Sequence, residues 1–107
     1  MNKVFVSPEA QEDLIGIRRY ITEELDNQVA ADNLLQKIMQ RIRQLEQLAD
    51  IGSPLSTIVG IETGYRFLVC GHYLVFYRTE QSEVYIDRVL YGRRDYLHVL
   101  FGELPQE

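Results

Sequence analysis

Hydrophobic positions follow two different periods along the chain. Up to residue 48 they recur at steps of three and four: Ala10, Leu14, Ile17, Ile21 and Leu25 make one stripe, and Ala31, Leu34, Ile38, Ile42, Leu45 and Leu48 a second. This is the period of amphipathic helices with one face on a core. Ser7-Pro8-Glu9 supplies a helix start: a serine to accept from free backbone N–H groups, a proline suited to the first helical position, and a carboxylate at the positive end of the dipole. Asp26-Asn27 interrupts the pattern and offers a cap for the second helix. That helix is expected to end near Ala49, before Gly52 and Pro54.

Beyond residue 64 the pattern changes. Tyr65–Cys70, Tyr73–Glu80 and Glu83–Tyr91 are β-branched and aromatic runs joined by Gly71-His72 and Gln81-Ser82. Such tight joins predict an antiparallel meander. Lys3–Val6 reads as one more short strand. Gly52–Thr63, rich in Ser, Thr and Gly, reads as an irregular crossing loop with Leu55 and Ile58 as anchors. After Gly92-Arg93-Arg94-Asp95-Tyr96 comes a short helical tail. The expected class is α+β: an N-terminal strand, a two-helix antiparallel hairpin, a three-stranded antiparallel meander and a short C-terminal helix, as one domain over residues 1–107.

The middle strand places Tyr73, Val75 and Tyr77 on one face and Leu74, Phe76 and Arg78 on the other. Apolar groups on both faces predict cover on both. The helical hairpin is one cover. The other is either the tail, through Leu97, Val99, Leu100 and Phe101, or a partner protein, because a bare apolar sheet invites aggregation.

Composition narrows the function classes. With 107 residues, 46% hydrophobic and 25% charged, the chain matches an ordinary soluble domain with a single core. No apolar run approaches the roughly 20 residues that span a bilayer, and the N-terminus lacks the apolar core of a signal peptide, so a cytoplasmic protein is expected. The formal net charge is −5. A domain holding nucleic acid through phosphate contacts is normally basic, so any such contact must be local. Cys70 is the only cysteine, which excludes an internal disulfide or a thiolate metal cluster. Within a strand it reads as a small buried apolar residue. His72 and His98 are not spaced as a metal pair, and His72 reads as a polar turn residue. Glu23 and Glu24 occupy adjacent helical positions and read as a solvated face.

The candidate chemistry collects in and just after the sheet. Arg93 and Arg94 either present a cationic patch or pair with Asp95 to hold the turn. Arg66, Arg78 and Arg88 either share a face as a basic track or are ordinary edge charges. Tyr96 and His98 are conceivable as acid and base beside Arg94, although a helical offset of two points them to different sides. Tyr65, Tyr73, Tyr77, Tyr85 and Tyr91 read first as cross-strand packing. A groove walled by them would also suit a peptide.

The element order, the N-terminal V-x-V-S-P-E-A-x-x-D-L-x-x-I and the run YLVFYR…VYIDRVLYGRRDY together resemble the RelE/ParE superfamily of toxins from bacterial type II toxin–antitoxin modules, over roughly Val4 to Phe101. The resemblance implies a cognate antitoxin whose C-terminal segment wraps the toxin in a hetero-oligomer. Operator DNA would be met only through that antitoxin, and neither a membrane nor a cofactor is implied. Two activities compete: RelE-like members cut mRNA on the ribosome, and ParE-like members poison DNA gyrase. Cutting RNA needs a base, an acid and cations around the phosphorane. Aligned on Tyr65-Arg66 and Gly92-Arg93-Arg94, the RelE-like strand arginine becomes Cys70, the tail tyrosine becomes Leu100, and Gly52–Thr63 carries no lysine. Only Arg93 or Arg94 survives of that set.

L-Y-G-R-R-D-Y resembles the end of the ParE-like sheet, and a gyrase-inhibiting toxin is the favoured expectation. Target binding is expected at Arg93, Arg94, Tyr96, Arg66 and Arg78, and antitoxin binding at Tyr73, Tyr77, Leu97 and Phe101. The alternatives are an mRNA endoribonuclease using Arg94, Tyr96 and His98, or an inactive toxin fold that acts only in autoregulation.

Overall fold

A computed structural model describes residues 1–102. In chain order the elements are β1 (Lys3–Val6), α1 (Pro8–Arg19) running into a π-helical turn (Tyr20–Glu24), α2 (Gln28–Gln44), β2 (Ser53–Pro54), α3 (Ser56–Val59), β3 (Arg66–Cys70), β4 (Tyr73–Glu80), β5 (Glu83–Tyr91) and α4 (Tyr96–Phe101).

The expected caps form. Ser7 Oγ accepts from the Ala10 N–H at 3.0 Å and donates to the Asp87 carbonyl at 2.8 Å, so one hydroxyl starts α1 and ties it to β5. Asn27 caps α2 by accepting from the Ala30 N–H at 3.0 Å. The first stripe departs from expectation at its end. In the π turn the Leu25 N–H donates to the Tyr20 carbonyl, and the extra residue per turn rotates the stripe. Ile21 therefore stays buried while Leu25 turns outward, 57% exposed. Helix α2 also stops at Gln44, earlier than the hydrophobic pattern implied, and leaves Leu48 in the solvent.

The sheet is mixed and five-stranded in the order β1-β5-β4-β3-β2, with β1 parallel to β5 and every other pair antiparallel. The N-terminal strand thus joins the meander and makes β5 an interior strand. Between Phe76 and Tyr77 the register slips: Phe76 faces Arg88 and Tyr77 faces Ile86, leaving Asp87 as the extra residue. The bulge lets Ile86 and Val89, three positions apart, both face the helices.

The segment Gly52–Thr63 is not the plain loop that its composition indicated. Ser53 and Pro54 pair with Phe67 and Arg66, and Ser56–Val59 makes one helical turn that ends on Gly60 in the left-handed region, φ 79°. Leu55 is the anchor expected of it and is fully buried, whereas Ile58 is exposed.

Two cores result, one on each face of the sheet. Under α1 and α2, Ile17, Ile38, Ile42 and Leu45 meet Leu68, Val75, Tyr77 and Ile86. On the other face Leu55, Phe76 and Leu90 are buried beneath Val59 of α3 and Tyr96, Leu97 and Leu100 of α4. The chain's own α3 and α4 therefore supply the second cover. Cys70 lies in the first core, where burial pushes its thiol pKa up.

Candidate functional site

Three of the arginines are held in separate places. Arg88 grips Asp13 of α1 with two hydrogen bonds of 2.8 Å, and the same carboxylate accepts from the Val89 N–H at 2.9 Å. Arg78 donates to Asp87 Oδ2 at 2.8 Å and lies over the Tyr85 ring, 5.4 Å from its centroid. Arg66 donates to the Gly52 carbonyl at 2.6 Å, with the Asp50 carboxylate at 3.8 Å. Arg66 shares strand parity with Leu68 and Cys70 on the helix face, and Arg78 shares it with Phe76 on the opposite face. The possible basic track across Arg66, Arg78 and Arg88 does not form.

Two tyrosines complete these anchors. The Tyr65 hydroxyl donates to Asp87 at 2.9 Å; burial and that carboxylate together raise its pKa to about 12. The Tyr77 hydroxyl accepts from the Gly52 N–H at 2.9 Å and donates to the Ala49 carbonyl at 2.8 Å. With no exposed surface, Tyr77 cannot meet an antitoxin as expected; it belongs to the first core.

The turn after β5 differs. Its Gly92 N–H donates to the His72 carbonyl at 2.8 Å, and a Cβ at Gly92 would sit 3.2 Å from that oxygen, so the glycine lets the turn dock on the β3–β4 hairpin. Asp95 does not hold the turn by pairing with an arginine. It caps α4 instead, accepting from the His98 N–H at 3.3 Å. Arg93 and Arg94 are exposed, and among the described residues neither takes part in an ion pair. The Tyr96 ring packs 5.2 Å from that of Phe76, while His98 points to solvent. Among the described residues no hydrogen bond or ion pair links the side chains of Arg94, Tyr96 and His98.

Two apolar grooves lie on opposite sides of the sheet. Leu97 and Phe101 of α4 line one of about 480 Å³ with Ile58, Val59 and Ile61. Tyr73 lines the other, of about 660 Å³, between the π turn and the β3–β4 hairpin, with Tyr20, Ile21, Leu25, Leu34 and Tyr91. The expectation of a tyrosine-walled groove holds for Tyr73 and Tyr91, whose rings meet edge to face at 5.6 Å. Tyr20 and Ile61 were missed because neither lies on a periodic stripe. Among the described residues no group of three or more His, Cys, Asp or Glu is placed to hold a metal ion.

The family model described as "ParE toxin of type II toxin-antitoxin system, parDE" matches residues 4–96. Among solved structures, a chain described as "Chromosomal ParDE TA system from P. aeruginosa" superimposes with a TM-score of 0.70 at 22% identity, covering 85% of this chain and 96% of that one. No curated protein matches.

Proposed function

Because the chain belongs to the ParE toxin family of type II toxin–antitoxin systems, we propose that it arrests growth by gripping DNA gyrase and is neutralised by a cognate antitoxin. The observation that carries the target reading is the contrast among the arginines. Arg93 and Arg94 project from a turn fixed by Gly92, and no carboxylate of the described residues engages them. Guanidinium groups presented in this way are suited to a carboxylate or phosphate of another macromolecule. Arg66 and Arg78 contribute indirectly, since each is anchored within the chain, Arg66 on the Gly52 carbonyl and Arg78 through its Nε on Asp87.

Bond-breaking chemistry receives no comparable support. The Tyr96 ring packs on Phe76 and His98 is exposed, an arrangement that gives little support to the acid, base and cation that RNA cleavage requires. The antitoxin reading draws on family membership and on the two apolar grooves, where Leu97 and Phe101 offer anchors in one and Tyr73 in the other.

Purified chain, added to gyrase with plasmid and ATP, should block supercoiling or trap cleaved DNA. The double substitution Arg93→Ala, Arg94→Ala should abolish the effect while the circular dichroism spectrum stays unchanged. An inert wild-type chain at micromolar concentration would rule out the gyrase reading. So would induced cells that show cut transcripts ahead of any DNA-damage response.

A further inference from the structure

Two guanidinium groups on an exposed turn are a weak grip by themselves, because ion pairs made in full solvent contribute little until neighbouring side chains exclude water. The end of the sheet supplies such neighbours from a second turn. Tyr73 opens β4, Tyr91 closes β5, and the two face each other in register, so the Gly71-His72 turn lies directly beside the Gly92–Arg94 turn. Gly71, at φ 60°, lets Cys70 and Tyr73 join through only two residues. The 2.8 Å hydrogen bond from the Gly92 N–H to the His72 carbonyl then fastens one turn to the other. The His72 ring lies 6.3 Å from the Tyr91 ring, which is itself held edge to face on Tyr73. His72 is exposed, and Tyr91 is 39% exposed. The hydroxyls of Tyr65, Tyr77 and Tyr85 are each bonded within the chain, but among the described residues that of Tyr91 has no hydrogen-bond partner.

We propose that the two turns form one contact surface for gyrase, in which His72 and Tyr91 touch the target beside Arg93 and Arg94. The inference rests on the gyrase reading above and names further residues that carry it out. Rings already fixed by their neighbours lose little freedom on binding, and tyrosine beside arginine is the composition of strong contacts between proteins. The partner is a protein surface that sets a carboxylate next to an apolar side chain, and not the phosphates of DNA. A chain with a net charge of −5 is repelled by DNA at a distance, and Glu12 lines the same groove as Arg94.

The test measures binding of the full-length chain to gyrase without DNA, alongside inhibition of supercoiling. Tyr91→Ala should weaken both about tenfold and His72→Ala about threefold. His72→Ala keeps the carbonyl that holds Gly92. His72→Glu should weaken binding more than alanine does, because it sets a carboxylate against an acidic surface. Phe5→Ala is the matched control. Phe5 is 45% exposed and stacks on Tyr85 at 5.5 Å, but its strand pairs with the opposite end of β5, and its loss should leave inhibition unchanged. Both His72 variants should melt as the wild type does, and His72→Glu decides the matter where Tyr91→Ala lowers the melting temperature. A wild-type chain that neither binds nor inhibits gyrase would remove the gyrase reading, and this surface with it. Inhibition by the wild type that His72→Glu and Tyr91→Ala leave intact would overturn the two-turn surface alone, as would an equal loss in Phe5→Ala. Binding that requires DNA would overturn it in favour of phosphate as the partner.

Discussion

The corner where α2 turns into β2 and the turn that follows β5 both carry arginine beside glycine, and they use the pair in opposite ways. At the corner, the Arg66 guanidinium closes on the Gly52 carbonyl, while the Tyr77 hydroxyl links the Gly52 N–H to the Ala49 carbonyl. The arginine, the glycine and the tyrosine hydroxyl there are answered from within the chain. After β5, Gly92 fixes the turn on the hairpin, but Arg93 and Arg94 are left pointing outward. An arginine's role is thus decided by whether a partner is built beside it. The same residue type stabilises in one place and remains available in the other.

The sharpest break of this contrast is at Gly52. A Cβ there would lie 2.6 Å from the Tyr77 hydroxyl and 2.8 Å from the Phe67 carbonyl, a backbone atom that cannot swing aside. Gly52→Ala should cost about 3 kcal/mol through overpacking and the disrupted hydrogen bond. Urea denaturation measures it, and a loss below about 0.5 kcal/mol would mean that the corner is not pinned as described.

Next in size is Asp13. Asp13→Ala strands the Arg88 guanidinium and the Val89 N–H at the bulge, both partly buried, for a loss of about 2 kcal/mol. Asp13→Asn keeps one acceptor and should lose less. Equal losses in the two variants would show that packing, and not the charge pair, holds α1 to β5.

A pH effect of moderate size belongs to Tyr65. Its pKa in the fold is raised to about 12 from 10.0, so between those values the folded state keeps a proton that the unfolded chain has lost. Its contribution is fully present below pH 10 and falls as pH rises toward 12. Tyr73, Tyr77 and Tyr85 are shifted in the same direction, so the readout is a difference: Tyr65→Phe should lose stability less steeply over this range than the wild type. Parallel curves would mean that the hydroxyl's tie to Asp87 does not survive in solution.

The two regions also differ in how readable they are from sequence. Helix stripes and the meander follow from local periods, and with them come Ile17, Ile38, Ile42 and the alternation of Val75 and Phe76 across the sheet. The π turn is invisible to such a period because one added residue rotates the stripe only at its end, stranding Leu25 outside. β2 and α3 are too short to show any period. The parallel pairing of β1 with β5 joins residues far apart in the chain, Lys3 with Glu83, and no local signal announces it. The arginines are hidden for the same reason: Arg88 and Asp13 are 75 positions apart. The turn's glycine and arginines stand out as a motif, but that the arginines form no ion pair among the described residues depends on where the fold brings the carboxylates.

The smallest change in stability should come from the residue with the largest expected functional consequence. Arg94 has no ion pair among the described residues, and its backbone N–H, which donates to the Tyr91 carbonyl at 3.0 Å, is kept in alanine. Arg94→Ala should therefore shift the unfolding free energy by no more than about 0.5 kcal/mol. Because a guanidinium that donates two parallel hydrogen bonds to a carboxylate or phosphate is not replaced by a point charge, Arg94→Lys should restore only part of the effect on gyrase. Full restoration by lysine would reduce Arg94 to a source of positive potential. A stability loss comparable to that of Asp13→Ala would be more damaging, since it would mean that the turn is answered from within after all and that the contrast with the Gly52 corner does not exist.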